Sequence, residues 1–360
     1  MSDRRAFLQQ AGAVIAGGLL ASPTSADATV VDAVQSTPAA RKTRLGQLAA
    51  NSYPIRPLFK RRPGGRENPA ADEMKKKYGE LTLLDFPQFT KDTFPGVTKM
   101  DVWSSLFGDV ADDSMYMQST VTRDGRSTPV TEFDPSAASS KKWLDQLAAK
   151  GAAAGVAFHH VSNNAPRNIA DLDEAARRTG IDTAKKWLDA CQRIGAKTMR
   201  VNTGGPRIVP SASATTGYPR NDEVVKYLTN AIASFKEMAD YGGKVGVKVT
   251  IENHWGLSAD PMNIRIILDE LKHPYCEASP DFFNWEHEFM LYHGLEALMP
   301  YTHTTVHAKY WNRWDPVDVG RCVRILDKAG YKGAIALEYE DSPWDGVEGA
   351  KQLMKLVMDA

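Results

Sequence analysis

Four side chains able to hold a metal ion or to move a proton stand where apolar stretches of this chain run out. Glu252 follows "KVTI", Asp281 follows "YCEASP", His307 lies in "THTTVHAKY" and Glu338 in "GAIALEYED". The intervals between them are 29, 26 and 31 residues. Three carboxylates brought to one point repel one another unless a cation joins them, because each raises the cost of ionising the next. A divalent ion is the natural partner. Oxygen-rich ligation with a single imidazole suits Mn, Mg, Co or Zn without choosing among them.

That chemistry requires a scaffold on which the ends of different strands converge. The sequence alternates strand-like and helix-like segments. Strands are expected at 45–53, 96–103, 155–161, 196–205, 246–253, 275–281, 302–310 and 333–341. Helices are expected at 82–92, 141–151, 182–195, 221–243, 260–271, 286–299, 315–330 and 347–359. Several carry explicit stop and start signals: Gly151 and Gly195 after helical runs, Asp260-Pro261 and Asp315-Pro316 before them, and Thr82 with Asp85 in capping-box spacing. Strict alternation argues for a parallel sheet, and eight such units over 44–360 fit a (β/α)8 TIM barrel, whose strand ends meet in one pocket. Two long connections, 54–80 and 104–136, both follow a strand. They are expected on the catalytic face as lids, or as contacts of a homo-oligomer.

The first 28 residues read as a targeting segment. Arg4-Arg5 precede the apolar run Ala11–Ala21, and Ala26-Asp27-Ala28 offers a small-x-small cleavage site. This order predicts a twin-arginine signal, the twin-arginine export machinery as a partner, and a periplasmic location. A polar linker is expected over 29–43. Lys+Arg and Asp+Glu balance at 44 each, which removes the electrostatic reason to expect nucleic acid as a partner. Cys191, Cys276 and Cys322 show no paired spacing and read as buried thiols.

Read together, "TIENHWG", "SPDFFNW", "VHAKYWNRW" and "ALEYED" resemble the sugar phosphate isomerase/epimerase superfamily of xylose isomerase-like TIM barrels. The ligand intervals look like those of its ketose 3-epimerases. The resemblance implies one divalent metal ion held by Glu252, Asp281, His307 and Glu338. It also departs from that pattern. Ser258 stands where those epimerases carry a second Glu, and Asn284 where they carry a His, whereas Arg313 matches their Arg. His307-Ala308-Lys309 looks more like other branches, including inosose dehydratases.

The implied chemistry begins with proton removal beside a carbonyl, through an enediolate. Glu252 and Glu338 are the expected catalytic pair, addressing a sugar or keto-sugar from different strands. His160, Asn202, His254, Asn284, Lys309 and Arg313 are expected to bind substrate. Trp103, Trp255, Trp285 and Trp311 fall at or beyond strand ends, where indole rings stack on sugar faces. His159 is expected to face outward if His160 faces the pocket. Four activities compete: a sugar isomerase or epimerase, a lyase or dehydratase acting on keto-sugars or 3-keto-glycosides, an endonuclease IV-like nuclease, and a non-catalytic sugar-binding protein. Neutral charge and few early histidines argue against the nuclease. The presence of both Glu252 and Glu338 argues against the non-catalytic protein.

Overall fold

The computed structural model describes residues 38–62, 69–123, 126–205, 221–285, 287–311, 313, 318–340 and 343–360. The expected signal segment, residues 29–37 of the expected linker and the Asp315-Pro316 start lie outside these. Residues 38–43, expected as linker, instead belong to α1 (Pro38–Gln47). That helix is tied to the body by Arg44, which donates to both Asp327 oxygens at 2.6 and 2.7 Å, and by Gln47, which donates to the Tyr331 carbonyl.

Eight parallel strands form one sheet: β1 (Leu48–Asn51), β2 (Lys99–Trp103), β5 (Ala157–Ser162), β6 (Thr198–Arg200), β7 (Lys248–Ile251), β8 (Cys276–Ala278), β9 (Thr305–Tyr310) and β10 (Ala334–Tyr339). Their order is β8-β7-β6-β5-β2-β1-β10-β9. The two ends meet through an Asp281–His307 bridge, in which the His307 N–H donates to the Pro280 carbonyl at 3.0 Å and the Phe282 N–H to the His307 carbonyl at 3.1 Å. The sheet is therefore a closed (β/α)8 barrel, as the alternation predicts. Its seam lies at two of the expected ligands.

The outer helices are set by local signals. α5 (Glu174–Ile194) starts at Asp173, which accepts from the Ala176 N–H, and stops at Gly195 with φ 77°. α7 (Pro261–Leu271) has Asp260 as cap and Pro261 at its first position, as read from sequence. α10 (Gly346–Asp359) is capped by Asp345, and α6 (Asn221–Val245) and α8 (Leu291–Leu298) fall inside or close to their expected spans. Several boundaries differ, among them the start of α5, which lies at Glu174 and not at 182. α4 runs from Ala138 to Ala154 and ends at Gly155, not Gly151. Gly151 is instead packed within that helix, where a Cβ would meet the Phe158 ring at 2.8 Å. α9 (Val319–Lys328) takes Asp318 as its cap. The Thr82–Asp85 pair forms, but it closes the turn before α3 (Phe86–Thr93).

Both long connections contain structure that periodicity did not announce. The first holds α2 (Pro69–Tyr78), and the second an antiparallel hairpin of β3 (Tyr116–Arg123) and β4 (Arg126–Phe133). Inside the barrel, strand alternation sorts residues by parity. Ala49, Ala334 and Ala336 form a small apolar cluster on the same parity as Asn51 and Glu338. Thr198 and Thr305 hydrogen-bond at 3.1 Å across it. The polar residues of the upper layer are the site.

Candidate active site at the carboxyl ends of the strands

Five of the strands, with the residues just past them, deliver inward side chains in pairs two residues apart: Asp101 and Trp103, His160 and Ser162, Arg200 and Asn202, His307 and Lys309, Glu338 and Glu340. The expected ligands are brought together. His307 Nδ1 lies 3.5 Å from Glu252 Oε2, and Lys309 Nζ joins Asp281 Oδ2 at 3.6 Å to Glu338 Oε1 at 2.9 Å. Glu252, Asp281 and His307 are buried. Glu338, 7% exposed, lines a cavity of about 990 Å³ together with Arg200, His254, Asn284, Lys309 and Arg313.

Three supporting residues were not anticipated. Asp101 accepts from His307 Nε2 at 2.9 Å, from Ser162 at 2.9 and 3.0 Å, and from Asn51 at 2.8 Å. A carboxylate only accepts, so Nε2 carries a proton; Nδ1 faces Glu252 and would offer a lone pair only where a cation displaces its own proton. Arg200 donates to Glu252 Oε2 at 2.7 Å and to Asn164 Oδ1 at 2.8 Å, while Asn284 takes Glu252 Oε1 at 3.0 Å. Glu340 pairs with Lys309 at 2.8 Å and accepts from Tyr53 at 2.9 Å. Parity carried the signal for two of them: Arg200 is two residues from Asn202, and Glu340 two from Glu338. Asp101 is a carboxylate flanked by Met100 and Val102 within its strand, which is itself a signal.

Charge in the cluster is unbalanced. Among the described residues, the ion pairs of Asp101, Glu252, Asp281, Glu338 and Glu340 include two permanent cations, Arg200 and Lys309. The titrations follow. Burial opposes a charged His307, yet Glu252, Asp101 and Glu338 outweigh it and push its pKa up to about 10. Burial, with Glu338 and Glu252 beside it and against the pull of Lys309, pushes Asp281 up to about 7. Glu252 is held well below the usual range, Arg200 and His307 overcoming its burial. Burial pushes His160 and His254 down to about 3, so both are neutral. Four buried side-chain atoms at the site, His307 Nδ1, Asp281 Oδ2, His160 Nε2 and His254 Nδ1, have no hydrogen-bond partner among the described residues. An imidazole nitrogen able to give up its proton and a carboxylate oxygen, orphaned inside a carboxylate-rich cluster, fit a divalent cation. A second donor set overlaps this one: Asp101, His160 and His307 offer ligand atoms within 4.8 Å of one another. In that set His307 Nε2 and Asp101 already bond directly to each other.

The remaining expected residues divide. His160 stands beside His307, with ring centroids 5.2 Å apart and Nδ1 bonded to Thr198 at 2.7 Å. Asn202 lines the cavity and donates to the Asn163 carbonyl at 3.5 Å. Arg313 lies 5.2 Å from the Trp311 ring. Trp103, Trp255 and Trp311 line the cavity, but Trp285 is fully buried, with its N–H on the Phe282 carbonyl, and is core. His159 does not face outward. β5 carries one extra residue against β2 there, and Nε2 of His159 reaches the Thr304 carbonyl of the opposite wall at 3.2 Å. The three cysteines are buried and free, as expected.

A closed parallel barrel with a carboxylate-lined mouth defines the class. A profile of the xylose isomerase-like TIM barrel family matches residues 120–359, and the chain belongs to that family. Among curated proteins, none matches in sequence. Solved structures share the fold. A 3-keto-D-glucoside 4-epimerase from E. coli has 13% identity and a TM-score of 0.58, over 86% of this chain and 98% of that one. A D-allulose 3-epimerase from Methylomonas sp. has 12% identity and a TM-score of 0.57, over 87% and 97%. A xylose isomerase-like TIM barrel protein from Mycobacterium smegmatis, in complex with magnesium, has 14% identity and a TM-score of 0.52, over 88% and 98%.

Proposed function

We propose that this protein is a metal-dependent sugar isomerase or epimerase that removes a proton next to a carbonyl. The observation that carries the reading is the pair of orphaned atoms, His307 Nδ1 and Asp281 Oδ2, between two glutamates from different strands. Glu252, Asp281, His307 and Glu338 would hold the ion. Bound there, it would supply electrostatic stabilisation of the enediolate oxygens. The family and two of the epimerase structures above point the same way.

The chain's own residues divide the work. Glu338 reaches the cavity and handles the proton at carbon. Glu252 has both oxygens engaged by Arg200 and Asn284, which fixes its orientation and lowers its basicity, so it serves the opposite face as a held carboxylate. Lys309 and His254 border the cavity and bind substrate hydroxyls. Trp103, Trp255 and Trp311 flank the ring. Ser258 is buried, with its hydroxyl on the Trp255 carbonyl at 3.1 Å. An exported enzyme would meet unphosphorylated sugars, which fits a substrate recognised through hydroxyls.

The test is incubation of metal-loaded protein with a panel of ketoses and 3-keto-glycosides in deuterium oxide. Deuterium at an epimerised carbon is the expected result. An unsaturated or cleaved product would select elimination instead.

A further inference from the structure

A second lobe of about 520 Å³ adjoins the main cavity, and Trp103, Glu132 and Arg167 line both. Arg167 donates to Glu132 at 2.8 Å, so this ion pair sits where the lobes meet. The main cavity is already larger than one sugar ring needs, lying at the upper end of the about 300–1,000 Å³ range of clefts that hold drug-sized ligands. The second lobe differs in chemistry. Its walls include Phe59, Phe107 and Trp187, and its rim carries Arg56, Lys60 and Arg61. Arg62 on the same rim is committed to Asp113 and to the Tyr116 ring. Arg56 stacks on Tyr53 at 3.9 Å. Lys60 and Arg61 are exposed and have no ion-pair partner among the described residues.

We propose that this lobe binds the non-sugar part of a glycoside, and that this part is aromatic and carries a carboxylate. The proposal rests on the sugar-site reading above and names its substrate class. Aromatic walls favour a planar apolar group, and unpaired cations at the rim favour an anion on its far end. The shared Trp103 joins the two subsites, so the sugar ring over Glu338 and an aryl group in the second lobe belong to one molecule. The loop after β1 and the β3–β4 hairpin thereby become specificity elements, one supplying cations and the other Tyr116, Glu132 and Phe133.

The experiment separates this claim from the chemistry at carbon. Full-length protein, with and without Mn, is titrated with 4-hydroxybenzoate, phenol and inorganic phosphate. Tryptophan quenching and ligand-observed NMR report binding. The 4-hydroxybenzoate should bind at least about ten-fold tighter than phenol, a charge-assisted contact being roughly twice a neutral one. The double variant Lys60→Gln/Arg61→Gln should erase that difference. Both residues are exposed, and an unchanged melting curve checks the fold. Equal binding of phenol and 4-hydroxybenzoate, an undiminished preference in the variant, or phosphate binding in place of the aryl acid would overturn the proposal. Because the probes contain no sugar, a null deuterium experiment leaves this result standing, and the converse holds.

Discussion

Replacing Asp101 with Asn tests which residues hold the ion. Asp101 accepts from three donors: His307, Asn51 and the Ser162 hydroxyl, which lies within reach of both its oxygens. Asparagine keeps the shape and loses the charge, and its amide nitrogen must face a donor. If Asp101 acts through His307, the variant loses orientation and basicity at Nδ1 but no ligand. Supporting carboxylates of this kind are worth about 10–100-fold in metal affinity. At about 1.4 kcal/mol per decade, that is roughly 1.4–2.8 kcal/mol. The companion variants are Asp281→Asn, Glu338→Gln and His160→Gln. Titrating Mn by isothermal calorimetry at pH 7.5 should give a graded loss for Asp101→Asn, loss of binding for Asp281→Asn and Glu338→Gln, and little change for His160→Gln. The opposite pattern, with metal binding lost in His160→Gln and Asp101→Asn and kept in Asp281→Asn, would transfer the site to Asp101, His160 and His307. That result would refute the argument from orphaned atoms.

Other outcomes follow from the same geometry. His307 is raised in the metal-free fold to about 10, so the folded state holds a proton that the unfolded state releases near pH 6.5. Its contribution is present below that value and lost as pH rises towards 10, so the melting temperature of metal-free protein should fall between pH 7 and 9. Saturating metal should remove the decline; a rise with pH in metal-free protein would contradict the assignment. Glu338→Gln should abolish turnover while keeping the far-ultraviolet dichroism spectrum, and near-normal activity would count against the proposed base. Gly256→Ala should destabilise by about 1–3 kcal/mol, read by urea unfolding, because φ is 71° and the new Cβ would fall 2.2 Å from the Gly204 carbonyl. Since Gly256 ends the His254-Trp255 turn, substrate affinity should weaken with it.

Much of this molecule was legible along the chain. Helix stops at Gly195 and the Asp260-Pro261 start are local devices that act within a few residues. The strand ends at Glu252, Asp281, His307 and Glu338 were readable because a barrel turns every strand terminus to one mouth. What parity could have supplied was Arg200 and Glu340, each two residues from a side chain already assigned inward. Other features lay beyond the sequence. Trp285 looks like a pocket residue by position, and only packing against Gly294 makes it core.

Sequence by itself determined the alternation of elements, the family and the types of group at the mouth, because these depend on local periodicity and spacing. Tertiary structure decided which carboxylate meets which cation. That Asp101 and His307, 206 residues apart, share a proton depends on the stagger of opposite strands and on closure at the Asp281–His307 seam. So does the surplus of negative charge that leaves His307 Nδ1 and Asp281 Oδ2 unsatisfied. Electrostatic balance is a sum over neighbours in space, and the neighbours are set only when the barrel closes.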